Sequence, residues 1–153
     1  MELIYIAVGS NLGDRRYYIE TAVKKIRQLP NTKVNKVSHL IQTRPEGGPK
    51  GQGPYLNGVI EVESELFPYD LLLRLQKIEA ELGRVRTVAD APRTIDLDIV
   101  MYGRMRIDER ALSIPHPSAL KREFVMRPLA EISATAARTL KTLAKPKSKR
   151  AKK

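Results

Sequence analysis

The sequence contains no cysteine and no tryptophan, and only two phenylalanines and two histidines in 153 residues. The missing cysteines exclude disulfides and thiolate chemistry. With no Cys or His cluster, any metal site must rest on oxygen ligands, which favours hard cations such as magnesium. Long apolar runs are also absent. The opening MELIYIAVGSNLGD has no basic stretch before its apolar residues and meets glycines and Asp14 soon after them. It reads as a strand and not as a signal peptide or membrane span, so a cytoplasmic protein without membrane attachment is expected. Acidic residues are scarce: 17 against 28 basic, a net charge of +11. Residues 141–153 carry Lys141, Lys145, Lys147, Lys149, Arg150, Lys152 and Lys153 and no acid, which leaves +4 on residues 1–140. A single domain over 1–140 with a basic, disordered tail over 141–153 is expected. Such a tail is the one place where nucleic acid or an anionic surface would be attracted.

What is present is a regular alternation of elements. Residues 2–8 form an apolar strand, and the loop GSNLGD leads into a helix over about 14–29. That helix has a buried stripe of Ile19, Ala22, Val23, Ile26 and Leu29. Residues 33–41 read as an edge strand, and RPEGGPKGQGP as loop. In the next strand, 57–63, Val59, Glu61 and Glu63 share one face and Ile60 and Val62 the other. A second helix starts near Pro68 and stops before Gly83, with Leu71, Leu72, Leu75, Ile78 and Leu82 toward the core. Residues 95–101 form the last main strand. Residues 105–132 read as short pieces, with a helical turn near 118–121. The order βαββαβ predicts an α+β, ferredoxin-like sandwich: an antiparallel sheet with both helices on one face and short C-terminal additions.

The segment PRTIDLDIV carries the sharpest chemical signal. On a strand Asp96 and Asp98 project to one side, with Cα atoms about 6.5 Å apart, while Ile95, Leu97 and Ile99 project to the other. Two such carboxylates converge on a cation or decorate a solvated strand. Arg84, Arg86 and Arg93 lie close by in sequence, and guanidinium forks match phosphate oxygens as well as they match Glu79, Glu81 and Asp90. Gln76 and Glu79 share a helix face. The glycine loop GSNLGD has neither dinucleotide nor Walker spacing and reads as a structural turn. In GPYLNG, Tyr55 and Asn57 share a face, so a flat heterocycle could stack on the ring and meet the amide. His116, between Pro115 and Pro117, sits in a rigid loop and either donates to a phosphate or caps the loop. His39 reads as structural.

Together GSNLGDR, QTRPEGG…YLN, IEAELGRVR, PRTIDLDIV and IPHPSALKREFVMRPLAEI resemble the 6-hydroxymethyl-7,8-dihydropterin pyrophosphokinases of folate biosynthesis, over about residues 3–132. The resemblance implies transfer of the β,γ-pyrophosphate of ATP to the pterin hydroxymethyl oxygen, with release of AMP. It implies two magnesium ions on Asp96 and Asp98, and Arg84, Arg93 and His116 acting on the phosphates. Gln76, Glu79, Arg86, Arg93, Ile99, His116 and Arg122 match ATP-site positions. Tyr55 and Phe124 match the aromatics that flank the pterin, with Thr43, Pro45 and Asn57 at its edge. Loops around 44–54 and 84–92 would close over the substrates, and a monomer or weak oligomer is expected. The rival reading is a ferredoxin-like nucleic-acid-binding module that uses the basic tail. Its stacking aromatics should lie on the central strands, where this sequence places Asp96 and Asp98.

Overall fold

The computed structural model describes residues 2–45, 47–48, 50–84 and 93–144. The main strands are β1 (Glu2–Ser10), β2 (Thr32–Val37), β3 (Ile41–Thr43), β4 (Tyr55–Ser64) and β5 (Asp96–Tyr102), with helices α1 (Arg15–Arg27) and α2 (Pro68–Glu81) between them. The sheet runs β2–β4–β1–β5, with β3 also paired to β4, and every pairing is antiparallel. This is the expected βαββαβ sandwich. Local chemistry sets the helix limits. Asp14 accepts a hydrogen bond from the Tyr17 amide at 3.1 Å and so caps α1,. Pro68 stands at the start of α2, and Gly83, with φ +87°, carries the chain out of its end,.

Strand alternation sorts the sheet into two apolar faces. On one, Ile4, Ile6, Ile60, Val62, Leu97 and Ile99 pack against Ile19, Ala22, Val23 and Ile26 of α1 and Leu71, Leu75 and Ile78 of α2. The face assignments for β4 and both helix stripes follow the sequence reading. The expected strand over 33–41, however, is broken between β2 and β3. Ser38 donates its amide to the Val59 carbonyl and accepts the Val59 amide on its hydroxyl, both at 2.9 Å. The side chain thus replaces a backbone partner, and Leu40 folds over Gly58, where a β-carbon would lie 2.7 Å from Leu40 Cδ2.

The larger correction concerns the C-terminal additions. A short hairpin of β6 (Ile107–Asp108) and β7 (Ser113–Ile114) and a 3-10 turn (Ala119–Lys121) are the expected small pieces. They are followed by two ten-residue helices, α3 (Glu123–Ile132) and α4 (Ala134–Leu143). These cover the opposite face of the sheet: Val125, Leu129 and Ile132 of α3 and Ala136, Ala137, Leu140 and Leu143 of α4 join Tyr5, Val59, Val100 and Met101. α3 holds Pro128 inside it, so burial of a strongly one-sided apolar stripe outweighs a poor local propensity. α4 runs three residues into the stretch read as tail because Leu143 continues the buried stripe of Leu140; residues 145–153 lie outside the described residues. Among the described residues, no helix is long and apolar enough to cross a membrane.

Candidate active site

The second face of the sheet is only partly covered by α3 and α4. At the end left over, a cleft opens between the tips of β1, β3, β4 and β5 and the start of α3. Register places its side chains. Gly9 of β1 pairs with Asn57 of β4 on one side and with Asp96 of β5 on the other, while Ala7 pairs with Asp98. Adjacent strands are about 4.8 Å apart, so Asn57 and Asp96 stand about 10 Å apart across the cleft floor. Thr43 pairs with Tyr55 one strand further out.

One end of the cleft is anionic and heavily cross-linked. Asp96 receives Arg84 Nη1 on Oδ1 and Arg93 Nη1 on Oδ2, each at 3.0 Å. Arg84 also meets Glu79 Oε2 at 2.5 Å, and that same oxygen accepts the Leu97 amide at 2.8 Å. Burial, reinforced by the charges of Asp96 and Glu79, pushes the Asp98 carboxyl up to about 7, against the pull of Arg84 and Arg93,. Burial works against the Arg93 charge, yet Asp96 keeps its pKa above the ordinary value. Two oxygen-donor carboxylates two residues apart, one of them raised by burial first and by its anionic neighbours second, form a donor set that a hard divalent cation would relieve, and they fit magnesium,. Among the described residues no cluster of three metal-ligating side chains is present.

Arg93 is itself anchored. Its amide donates to Asn11 Oδ1 at 2.8 Å, its carbonyl accepts the Asn11 amide at 3.1 Å, and Asn11 Nδ2 reaches Gln52 Oε1 and the Gly53 carbonyl. GSNLGD, read from sequence as a turn only, therefore fixes a cleft arginine. An asparagine among glycines was the signal available for it. His116 donates its amide to the Val100 carbonyl at 2.9 Å and accepts the Ser118 amide on Nδ1 at 3.1 Å. Burial and then the Arg122 charge lower its pKa, with Asp96 opposing, so the ring is neutral with its proton on Nε2, ready to donate.

The other end is aromatic and amide-lined. Tyr55, Phe124, Thr43, Pro45 and Asn57 all line the cleft, and Asn57 Nδ2 donates to Thr43 Oγ1 at 2.7 Å. Arg122 lines it too, its guanidinium carbon 5.5 Å from the Phe124 ring centre,. The structure thus gathers Arg93, Asp96, Asp98, His116, Arg122, Thr43, Pro45, Tyr55, Asn57 and Phe124 around one cavity, with Arg84 bonded to Asp96 behind it. Gln76 is exposed on α2, Glu79 is buried behind Arg84, and the Ile99 side chain lies in the core under α1 and α2, away from the cleft. Arg86 lies outside the described residues. Gly9, Arg44 and Val100 also line the cavity; they fall inside the motifs GSNLGD, QTRPEGG and PRTIDLDIV, but the sequence pattern points to no role of their own.

A family profile described as 7,8-dihydro-6-hydroxymethylpterin-pyrophosphokinase matches residues 5–134. The chain is 45% identical over 130 residues to a Bacillus subtilis 2-amino-4-hydroxy-6-hydroxymethyldihydropteridine pyrophosphokinase, covering 85% of this chain and 77% of that protein. A Haemophilus influenzae protein of the same description is also 45% identical over 130 residues, covering 85% and 81%. A Pneumocystis carinii folic acid synthesis protein fol1 is 46% identical over 132 residues, 86% of this chain, but the chain spans only 18% of that longer protein. The chain belongs to the 7,8-dihydro-6-hydroxymethylpterin-pyrophosphokinase family.

Proposed function

We propose that the cleft binds a hydroxymethyl-dihydropterin between Tyr55 and Phe124 and presents its hydroxymethyl oxygen to magnesium-bound ATP at Asp96 and Asp98. The class of reaction follows from family membership: the chain is an ATP-dependent pyrophosphokinase of folate biosynthesis. The residue roles are the proposal. The observation that supports them best is one cavity with an aromatic, amide-lined end and, about two strand spacings away, paired carboxylates tied to two arginines.

The pterin oxygen attacks the β-phosphorus of ATP. The bond from that phosphorus to the oxygen bridging it to the α-phosphate breaks, AMP leaves with the electron pair, and the hydroxyl proton is released. Asp96 and Asp98 would hold two magnesium ions, which when bound would neutralise polyphosphate charge and so favour attack on the phosphorus. Arg84 and Arg93 exchange a carboxylate for phosphate oxygens, and the neutral His116 donates from Nε2. Arg122 stands at the α3 start, where it reaches the nucleotide while covering the Phe124 ring. Gln76 and Arg86 complete the proposed nucleotide side, with Ile99 through its backbone alone because its side chain is in the core, and Glu79 by holding Arg84. Thr43, Pro45 and Asn57 read the heterocycle edge. Any nucleic-acid contact would belong to the basic tail, and would vanish with salt and with deletion of residues 141–153.

The test is AMP release from ATP and magnesium, with and without 6-hydroxymethyl-7,8-dihydropterin. Pterin-dependent AMP is expected, lost in Asp96→Ala and Asp98→Ala. ADP as product would overturn the pyrophosphoryl assignment.

A further inference from the structure

The two walls of the aromatic end come from different parts of the fold. Tyr55, Asn57 and Thr43 sit on β3 and β4, whereas Phe124 rides on the first turn of α3. What holds α3 along its length is the apolar layer of Val125, Leu129 and Ile132. Apolar burial is strong but non-directional, so it resists lifting the helix more than sliding it along its axis. A flat ring needs about 3.5 Å of clearance on each face. A shift of one helical residue, about 1.5 Å, would therefore spoil the fit.

Polar contacts tie the far end of α3 to the sheet edge. Glu131 spans from the helix to the crossover between β2 and β3. Its two carboxylate oxygens each accept the His39 amide at 3.1 Å, and Oε2 lies 2.8 Å from His39 Nδ1. Lys36 Nζ, two residues before Ser38, donates to the Ile132 carbonyl at 3.1 Å. The crossover is locked to β4 by Ser38, whose hydroxyl takes the Val59 amide and donates to the His39 carbonyl at 2.9 Å. From His39 the chain runs directly into β3, which delivers Thr43 and Pro45 to the cleft.

We propose that Glu131 is a positioning residue for the heterocycle: by bonding the His39 backbone it fixes the register of α3 against the β3–β4 edge, and so the gap between Phe124 and Tyr55. Glu131 is not among the residues that line the cleft and is itself solvent-exposed, so its effect passes through helix placement. The inference rests on the reading that the ring binds between Tyr55 and Phe124. It predicts a larger effect on the pterin than on ATP, because Asp96, Asp98, Arg84 and Arg93 belong to strands and loops that α3 does not carry, and of the proposed nucleotide residues only Arg122, at the helix start, would move with Phe124.

The experiment compares KM for pterin and KM for ATP in the wild type, Glu131→Ala and Glu131→Gln, with thermal unfolding in parallel. Glu131→Ala is expected to raise pterin KM about tenfold, while ATP KM, exposed to the shift only through Arg122, rises by no more than about threefold and kcat stays within about twofold. Glu131→Gln keeps an oxygen for the His39 amide and should stay within about threefold of wild type. Glu81→Gln, which removes an exposed pair with Lys25 at 3.3 Å, serves as the control and should leave both KM values unchanged. A pterin-to-ATP ratio of KM increases of at least about three in Glu131→Ala supports the proposal. Any smaller ratio overturns it, even where the protein is less stable. Should Glu131→Ala not fold, Glu131→Asp, one methylene too short to hold His39, is read by the same ratio. Wild-type protein that releases no pterin-dependent AMP would instead defeat the underlying assignment of function, a result separate from either outcome for Glu131.

Discussion

Gly9 and Asn57 face each other across the β1–β4 ladder so closely that a β-carbon on residue 9 would lie 2.8 Å from Asn57 Oδ1 and 3.4 Å from Tyr55 Cδ1. The glycine is there for clearance. Gly9→Ala would push the amide off its bond to Thr43 and crowd the tyrosine ring. Losing one well-placed polar contact costs about 1–3 kcal/mol, so pterin KM should rise about 10- to 100-fold, with ATP KM little changed. Steady-state titration of each substrate against the other at saturation would show it.

Asp96 is the shared acceptor of Arg84 and Arg93. Asp96→Asn should both weaken cation binding and misplace two guanidinium groups, lowering the single-turnover rate of pterin-dependent AMP formation by about 10²–10³-fold. A loss smaller than about tenfold would mean that the carboxylate is a structural tether only.

Asp98 should make the site pH-dependent. Its carboxyl is held up to about 7 by burial and by Asp96 and Glu79, and a protonated carboxyl is a poor cation ligand. Magnesium affinity, measured by calorimetry without nucleotide, should therefore climb as pH rises through about 7. The metal-free protein should respond in the opposite sense. A carboxyl whose folded pKa exceeds its unfolded value binds extra protons when folded, so its contribution to stability is present at low pH and is lost as pH rises through about 7. Asp98→Asn should flatten both trends, and an affinity that did not vary with pH would refute the assignment.

Leu129 is fully buried between α3 and the sheet. Leu129→Ala should cost about 2–5 kcal/mol, measured by urea unfolding, since a cavity there separates the second helical layer from β4.

Much of this could be read from the chain, for a physical reason that differs by region. Asp96 and Asp98 declared their common face because strand periodicity is strict, and α1 and α2 carried clean stripes bounded by Asp14, Pro30, Pro68 and Gly83. The helix α3 was hidden by Pro128 and by its shortness: its stability comes from Tyr5, Val59, Val100 and Met101, residues far away in sequence. The break between β2 and β3 depends on Ser38 satisfying Val59 and on Leu40 covering Gly58, a tertiary arrangement with no local signature. The same holds at the site. Which residues are acidic or aromatic was plain, whereas the anchoring of Arg93 by Asn11 and the burial of Glu79 behind Arg84 appear only once separate strands are brought side by side.

Both guanidinium groups rest on the one carboxylate of Asp96, so in the proposed reading that carboxylate and a nucleotide compete for the same two arginines. A bare polyphosphate would have to strip two arginines from Asp96 and leave that anion stranded beside Asp98. A nucleotide that arrives with magnesium brings the replacement counter-charge with it, so the exchange of partners is nearly balanced. On the proposed reading, these ion pairs therefore favour the metal-loaded nucleotide over the bare polyphosphate.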